Sequence, residues 1–111
     1  IGRNNMNDYK LKYANLLGYS DITPYEILRK TKNTLIVRQM KAELDPAFTP
    51  KYVKGGYAGI CINQDEQKWI IESDDLAPEV KAYIRKDGYF YLHGQKMIIS
   101  KIPMKFYDYN F

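Results

Sequence analysis

Cysteine, histidine and tryptophan each occur once in this 111-residue chain. A single cysteine rules out an intrachain disulfide, so nothing in the sequence demands an oxidising compartment. One cysteine and one histidine cannot assemble the usual ligand set of a zinc site, and Asp65, Glu66, Glu72, Asp74 and Asp75 lack the spacing of a calcium loop. Neither Gly-x-x-x-x-Gly-Lys-Ser/Thr nor Gly-x-Gly-x-x-Gly occurs, so no phosphate-cradling loop is written here. There is no apolar run long enough to cross a bilayer, no charged-then-apolar leader, and no repeat or low-complexity segment. The expectation is a cytoplasmic protein with no cofactor, no metal and no membrane association.

What the chain has in quantity is tyrosine. Eleven tyrosines bring the aromatic share to 14%, which favours β structure, where large flat side chains pack well on a pleated surface. The 45% hydrophobic and 27% charged content is that of an ordinary globular protein, and the length suits one domain, 1–111, with 1–8 as a flexible lead. The net charge of +4 is unevenly spread. Residues 1–41 carry eight Lys/Arg against three Asp/Glu, residues 42–75 three against seven, and residues 76–111 six against three. Folding can therefore set a basic face against an acidic one, although a solvated surface without a partner shows the same asymmetry.

Short strand signals recur along the chain. Tyr9–Tyr13 alternates with period two, while Ala14–Leu17 could bend into a helical turn. Gly18–Pro24 reads as punctuation, with a strand restarting at Tyr25. Tyr25–Met40 is the clearest hairpin, joined through Lys30–Asn33. Glu43–Lys54 is expected to be irregular, marked by Pro46 and Pro50 and held to the core by Phe48 and Tyr52. Gln67–Ser73 reads as a strand with Trp69 and Ile71 on one face. In Val80–Arg85 the alternation puts Val80, Ala82 and Ile84 inward and Lys81, Tyr83 and Arg85 outward. Turns at Lys86–Gly88 and His93–Gly94 separate Tyr89–Leu92 from its neighbours, and Met97–Ser100 and Met104–Tyr109 complete the set. The fold class is mainly β: a small SH3-like or otherwise strongly curled β-barrel of six to seven short strands. The terminal alternation predicts a strand with Tyr107, Tyr109 and Phe111 facing the core.

Two stretches carry candidate binding residues. Gly55–Trp69 holds three of the seven glycines, the cysteine and the tryptophan. Its glycines are expected to form a bulge or bend at a barrel corner, and Asn63, Gln64 and Gln67 beside Trp69 offer uncharged hydrogen-bonding groups of the kind that recognise a base or nucleotide. The second stretch sets Tyr83 between Lys81 and Arg85, with Tyr89 and Tyr91 across a tight turn. Rings that stack and cations that seek phosphate on one sheet face suit single-stranded nucleic acid, though the same residues also cover ordinary outer faces. Catalysis has one conceivable pair, Cys61 with His93 as its base. Ile60 and Ile62 flank Cys61 and point instead to a buried, inert thiol, so no catalytic residue is assigned.

The motifs Thr23-Pro24-Tyr25-Glu26, Gly55-Gly56-Tyr57-Ala58-Gly59-x-Cys61-x-Asn63-Gln64, Gln67-x-Trp69, Lys86-Asp87-Gly88 and Phe106-Tyr107-Asp108-Tyr109-Asn110-Phe111 resemble a group of small bacteriophage and prophage proteins. The likeness runs from about Tyr19 onward. It implies a mobile-element origin and work in the cytoplasm of a bacterial host, and it supplies no catalytic or binding residue. Together these readings predict a non-catalytic β binding module for nucleic acid or a nucleotide. The alternative is an interaction module that docks on a host or virion protein.

Overall fold

The computed structural model describes residues 12–55 and 58–110. Its centre is a closed, wholly antiparallel barrel of six strands. Going round it, β1 (Tyr13–Leu17) lies between β2 (Ile22–Lys30) and β10 (Gln95–Ser100); β3 (Thr34–Gln39), β8 (Glu79–Ile84) and β9 (Phe90–Leu92) complete the ring. The intervening residues build an arm of two nested antiparallel pairs, β4 (Lys41–Leu44) with β7 (Trp69–Glu72) and β5 (Tyr52–Gly55) with β6 (Ala58–Cys61). A short 3-10 turn at Gln64–Glu66 joins β6 to β7.

Period-two patterning explains the barrel. In β3 Leu35 and Val37 are fully buried, and they pair with Ala82 and Val80 of β8. With Ala14, Phe90, Leu92 and Met97 they form one core, sealed at its margins by Leu16, Tyr25, Ile27 and Ile99. The outward residue Ile36 is buried too, because Arg29 and Lys81 flank it across the strands and the Arg29–Glu79 ion pair (2.9 Å) reaches over β3. A register shift between Ile27 and Arg29 makes Leu28 an extra residue in β2 and helps the sheet curl.

The mainly β barrel agrees with the pattern in the sequence, and several local expectations are corrected. Ala14–Leu17 is strand, not a helical turn, since it is paired on both sides. Strand β2 begins at Ile22 and includes Pro24. That proline sits one place beyond the last β2–β3 pair, Tyr25↔Gln39, so its missing N–H is not needed by the ladder, while its carbonyl accepts from Met40 N–H (3.0 Å). Residues 43–54 are not irregular throughout but contribute to β4 and β5; Phe48 is buried as an anchor, whereas Tyr52 is 56% exposed. The glycine-rich stretch is not a barrel corner: Gly55 and Ala58 form the last pair of β5 and β6 in the arm, and the residues between them lie outside the described ones. The flexible lead expected at 1–8 lies outside the described residues.

The C-terminal segment is not a full strand. It makes one two-way bridge, Ile22 to Phe106, and then runs along the arm, where side chains hold its main chain. Tyr107 is 47% exposed and Phe106 half-buried, so the predicted alternation fails; the expectation for Phe111 lies outside the described residues. Alternation sorts faces only when strands flank a segment on its hydrogen-bonding edges.

Candidate nucleic-acid interface

The outer surface of β8, β9 and β10 collects the second group of sequence candidates. Since Val80 and Ala82 turn inward, Lys81 and Tyr83 must turn out. The two tight turns then fix the register. Lys86–Gly88 closes with Arg85 N–H on the carbonyl of Tyr89 (3.0 Å), and Gly88 adopts φ +85°, a conformation that a side chain rarely tolerates. The turn at His93–Gly94, with φ of +52° and +80°, sets Leu92 against Gln95. The result is a transverse row, Thr34↔Tyr83↔Tyr91↔Lys96, across four strands.

Cations lie on Tyr91 of this row and on Tyr89 beside it. The Arg85 guanidinium carbon is 4.1 Å from the centre of Tyr91, and Lys96 Nζ is 4.2 Å from that of Tyr89. Each contact sets a cation against one face of a ring and holds the pair in place. Tyr83, 56% exposed, presents its ring to solvent beside Lys81. Structure therefore brings Lys81, Tyr83, Arg85, Tyr89 and Tyr91 together and adds Lys96, which only the register reveals.

Asp87 braces this surface from the turn. Its carboxylate accepts from the Tyr91 hydroxyl and from Tyr89 N–H (3.0 Å). The Tyr91 bond, first, and the Tyr89 bond hold the carboxyl below its ordinary range, and the same Asp87 bond pushes the Tyr91 phenol up. A depressed carboxylate stabilises the folded turn above its unfolded pKa, and that contribution disappears as pH falls through the folded value. The protection factor of the Tyr89 amide, taken relative to intrinsic exchange at each pH, should consequently fall in acid and stay constant near neutrality; in Asp87→Asn the acid step should vanish.

The other candidates serve the arm itself. Asn63 is buried: its side-chain oxygen accepts from Lys51 N–H (2.8 Å) and from the Cys61 thiol (3.4 Å), and its amide donates to Thr49 carbonyl (3.0 Å). Gln64 Oε1 accepts from Tyr109 N–H (2.8 Å). Gln67 Oε1 accepts from Tyr107 N–H (3.0 Å) and from the Trp69 indole (2.8 Å), while its Nε2 donates to Tyr107 carbonyl. These amides do hold an extended chain, but it is the protein's own C-terminal segment. Asn110 answers from that segment, accepting from Cys61 N–H (2.7 Å) and donating to Cys61 carbonyl (2.9 Å). Lys105 Nζ lies 5.6 Å from the Trp69 ring centre.

Cys61 is 3% exposed, and His93 stands exposed in the β9–β10 turn. With its thiol donating to Asn63, Cys61 should react with a small thiol reagent only as fast as the arm opens, orders of magnitude below a free cysteine. Native labelling rates that rise with denaturant would show this; rapid labelling suppressed by His93→Ala would revive the dyad.

Sequence reasoning passed over Asn15, fully buried, which donates to Ile102 carbonyl (3.2 Å) and accepts from Met104 N–H (2.8 Å). Its position amid apolar neighbours of a strand was the available signal. Among the described residues no three His, Cys, Asp or Glu side chains are placed to hold a metal ion, and no helix is long and apolar enough to cross a membrane. Comparison with protein-family models, with curated proteins and with solved structures finds no match.

Proposed function

We propose that this chain is a non-catalytic module that binds single-stranded nucleic acid across the outer face of β8–β10, in the service of a phage or other mobile element within a bacterial cytoplasm. The observation that carries the reading is the group of Tyr83, Tyr89 and Tyr91 on one face, with Arg85 on Tyr91, Lys96 on Tyr89 and the ring of Tyr83 open to solvent. Every base has a π-face, so such a platform tolerates sequence, and the cations follow the backbone. Asn63, Gln64, Gln67 and Trp69 play no part in it, their polar groups being engaged within the arm.

Binding to a random single-stranded oligonucleotide should weaken steeply with salt. If Lys81, Arg85 and Lys96 each neutralise a phosphate, the logarithmic slope should be about −2, and Lys81→Ala should reduce it by roughly 0.7. Tyr83→Ala should cost about 1–3 kcal/mol on every sequence tested. Fluorescence anisotropy across a salt series measures both, and salt-independent or absent binding would refute the proposal.

A second reading rests on a different surface. Val53 and Ile60 are opposite one another on the β5–β6 hairpin, each 47% exposed, and Ile62 follows on the same side. An apolar strip on a projecting arm suits docking to a host or virion protein. Val53→Asp with Ile60→Asp would then abolish capture of that protein while leaving oligonucleotide binding intact.

A further inference from the structure

Beside the tyrosine row the barrel has an open end. A cleft of about 410 Å³ lies between the β8–β9 turn and the last residues of β10, within the range of small-molecule sites, about 300–1,000 Å³. Its walls include Ile84, Phe90 and Ile99, its lip carries Lys30 and Lys32, and Tyr89 belongs both to the cleft and to the proposed interface. Apolar walls under a cationic lip fit a ligand with a flat apolar body and an anionic group.

Main-chain geometry narrows the choice. The two-residue turn at His93–Gly94 makes Leu92 and Gln95 a hydrogen-bonded pair, so Phe90 and Met97 are another, and the alternation turns the N–H and C=O of Ile99 to the same side. Strand β9 has already ended there. Gly88, next in line to face Ile99, is drawn into the turn, where its N–H donates to Arg85 carbonyl (2.9 Å). No described β9 residue pairs with Ile99. An N–H and a C=O side by side on one extended residue complement the edge of a nucleobase, which carries an acceptor next to a donor.

We infer that this cleft receives one unstacked nucleobase, its edge on the main chain of Ile99, its face against the Tyr89–Phe90 side, and its phosphate on Lys30 and Lys32. The inference rests on the proposed nucleic-acid reading and extends it from a flat platform to a pocket at the platform's end. A strand crossing Tyr83 and Tyr91 would pass Lys96 and Tyr89 and turn one base into the barrel mouth.

The test is a titration of the full chain, followed by NMR, with adenosine 5′-monophosphate, inorganic phosphate or decanoate as separate probes. The nucleotide should shift the Ile84 and Ile99 methyl signals and the Ile99 amide, whereas phosphate alone should leave the methyls in place. Lys32→Ala, an exposed substitution that leaves the core intact, should weaken nucleotide binding roughly threefold to fivefold. Ile84→Trp, which fills the cleft, should abolish the shifts of the remaining Ile99 methyl and amide signals. An oligonucleotide that binds with the expected salt slope but leaves these methyls unmoved would overturn the pocket and keep the platform. Nucleotide shifts without any oligonucleotide binding would keep the pocket and overturn the platform. Decanoate moving the same methyls at lower concentration than the nucleotide would overturn the assignment in favour of an aliphatic anion.

Discussion

Deletion of residues 106–111 should lower the melting temperature by roughly 15 °C or more and strip the arm of its fixed structure. The segment is short, but every main-chain N–H from Phe106 to Asn110 is engaged. Phe106 exchanges both main-chain bonds with Ile22 (3.0 and 3.1 Å), and Asp108 N–H donates to Asp21 (2.8 Å). Gln67 grips Tyr107 at both ends of its residue, Gln64 holds Tyr109, and Asn110 brackets Cys61. The rings add to this: Tyr107 meets Tyr109 edge-on at 4.9 Å, and Tyr109 lies 6.3 Å from the buried Phe48. At about 1 kcal/mol net for each hydrogen bond, losing even half of them removes several kcal/mol from a total of only about 5–15. Deletion also leaves buried partners such as Cys61 N–H unsatisfied. Gln67→Ala is the milder version, expected to cost about 1–3 kcal/mol. A truncated protein that kept its melting temperature while losing a partner would make the segment a recognition motif and favour the docking reading.

Leu35→Ala should cost about 3–5 kcal/mol, the upper range for a leucine with no room to relax around it. Its side chain is fully buried in the barrel, between the register partners Lys30 and Ala82. No described arm residue belongs to that core cluster, so the substitution also asks whether the molecule unfolds as one unit. Trp69, in β7, reports on the arm, whereas far-UV circular dichroism reports on all strands. Coincident denaturation curves by the two probes, both shifted equally, would show that the C-terminal segment and the β3–β4 and β7–β8 junctions couple arm to barrel. A tryptophan transition left in place would show an arm that stands by itself.

The barrel was legible because its strands obey a rule visible in the letters. Val80 to Ile84 alternates, Thr34 to Val37 is β-branched and apolar, and Lys86–Gly88 and His93–Gly94 are turns whose chemistry fixes register at once. The tyrosine face followed from the same rule. Less could be read where pairing is not local. Nothing around Pro46 or Pro50 states that Lys41–Leu44 will find Trp69–Glu72, because the partner lies beyond another hairpin. Asn63, Gln64 and Gln67 looked like ligand groups since a polar side chain that will grip its own backbone carries the same letters as one that will grip a nucleotide. The cleft was hidden for a third reason: it exists because β9 begins late relative to β10, a matter of strand ends, the least determined part of any pattern.

The nesting of the arm has a consequence for how the chain finds its shape. Strands β3 and β8 are neighbours in the ring, yet residues 40–78 separate them, and joining them directly would require a long, entropically costly closure. Strands β5 and β6 pair locally, up to Gly55 with Ala58, and once they have done so, β4 and β7 begin close together. Pairing of β4 with β7 then delivers the ends of β3 and β8 side by side. The β3–β8 pairing would thus be the last of three short steps, each prepared by the one inside it, with β1 and β10 left to close the ring, and the inserted segment would work as a zipper that lowers the effective contact order of the barrel it interrupts.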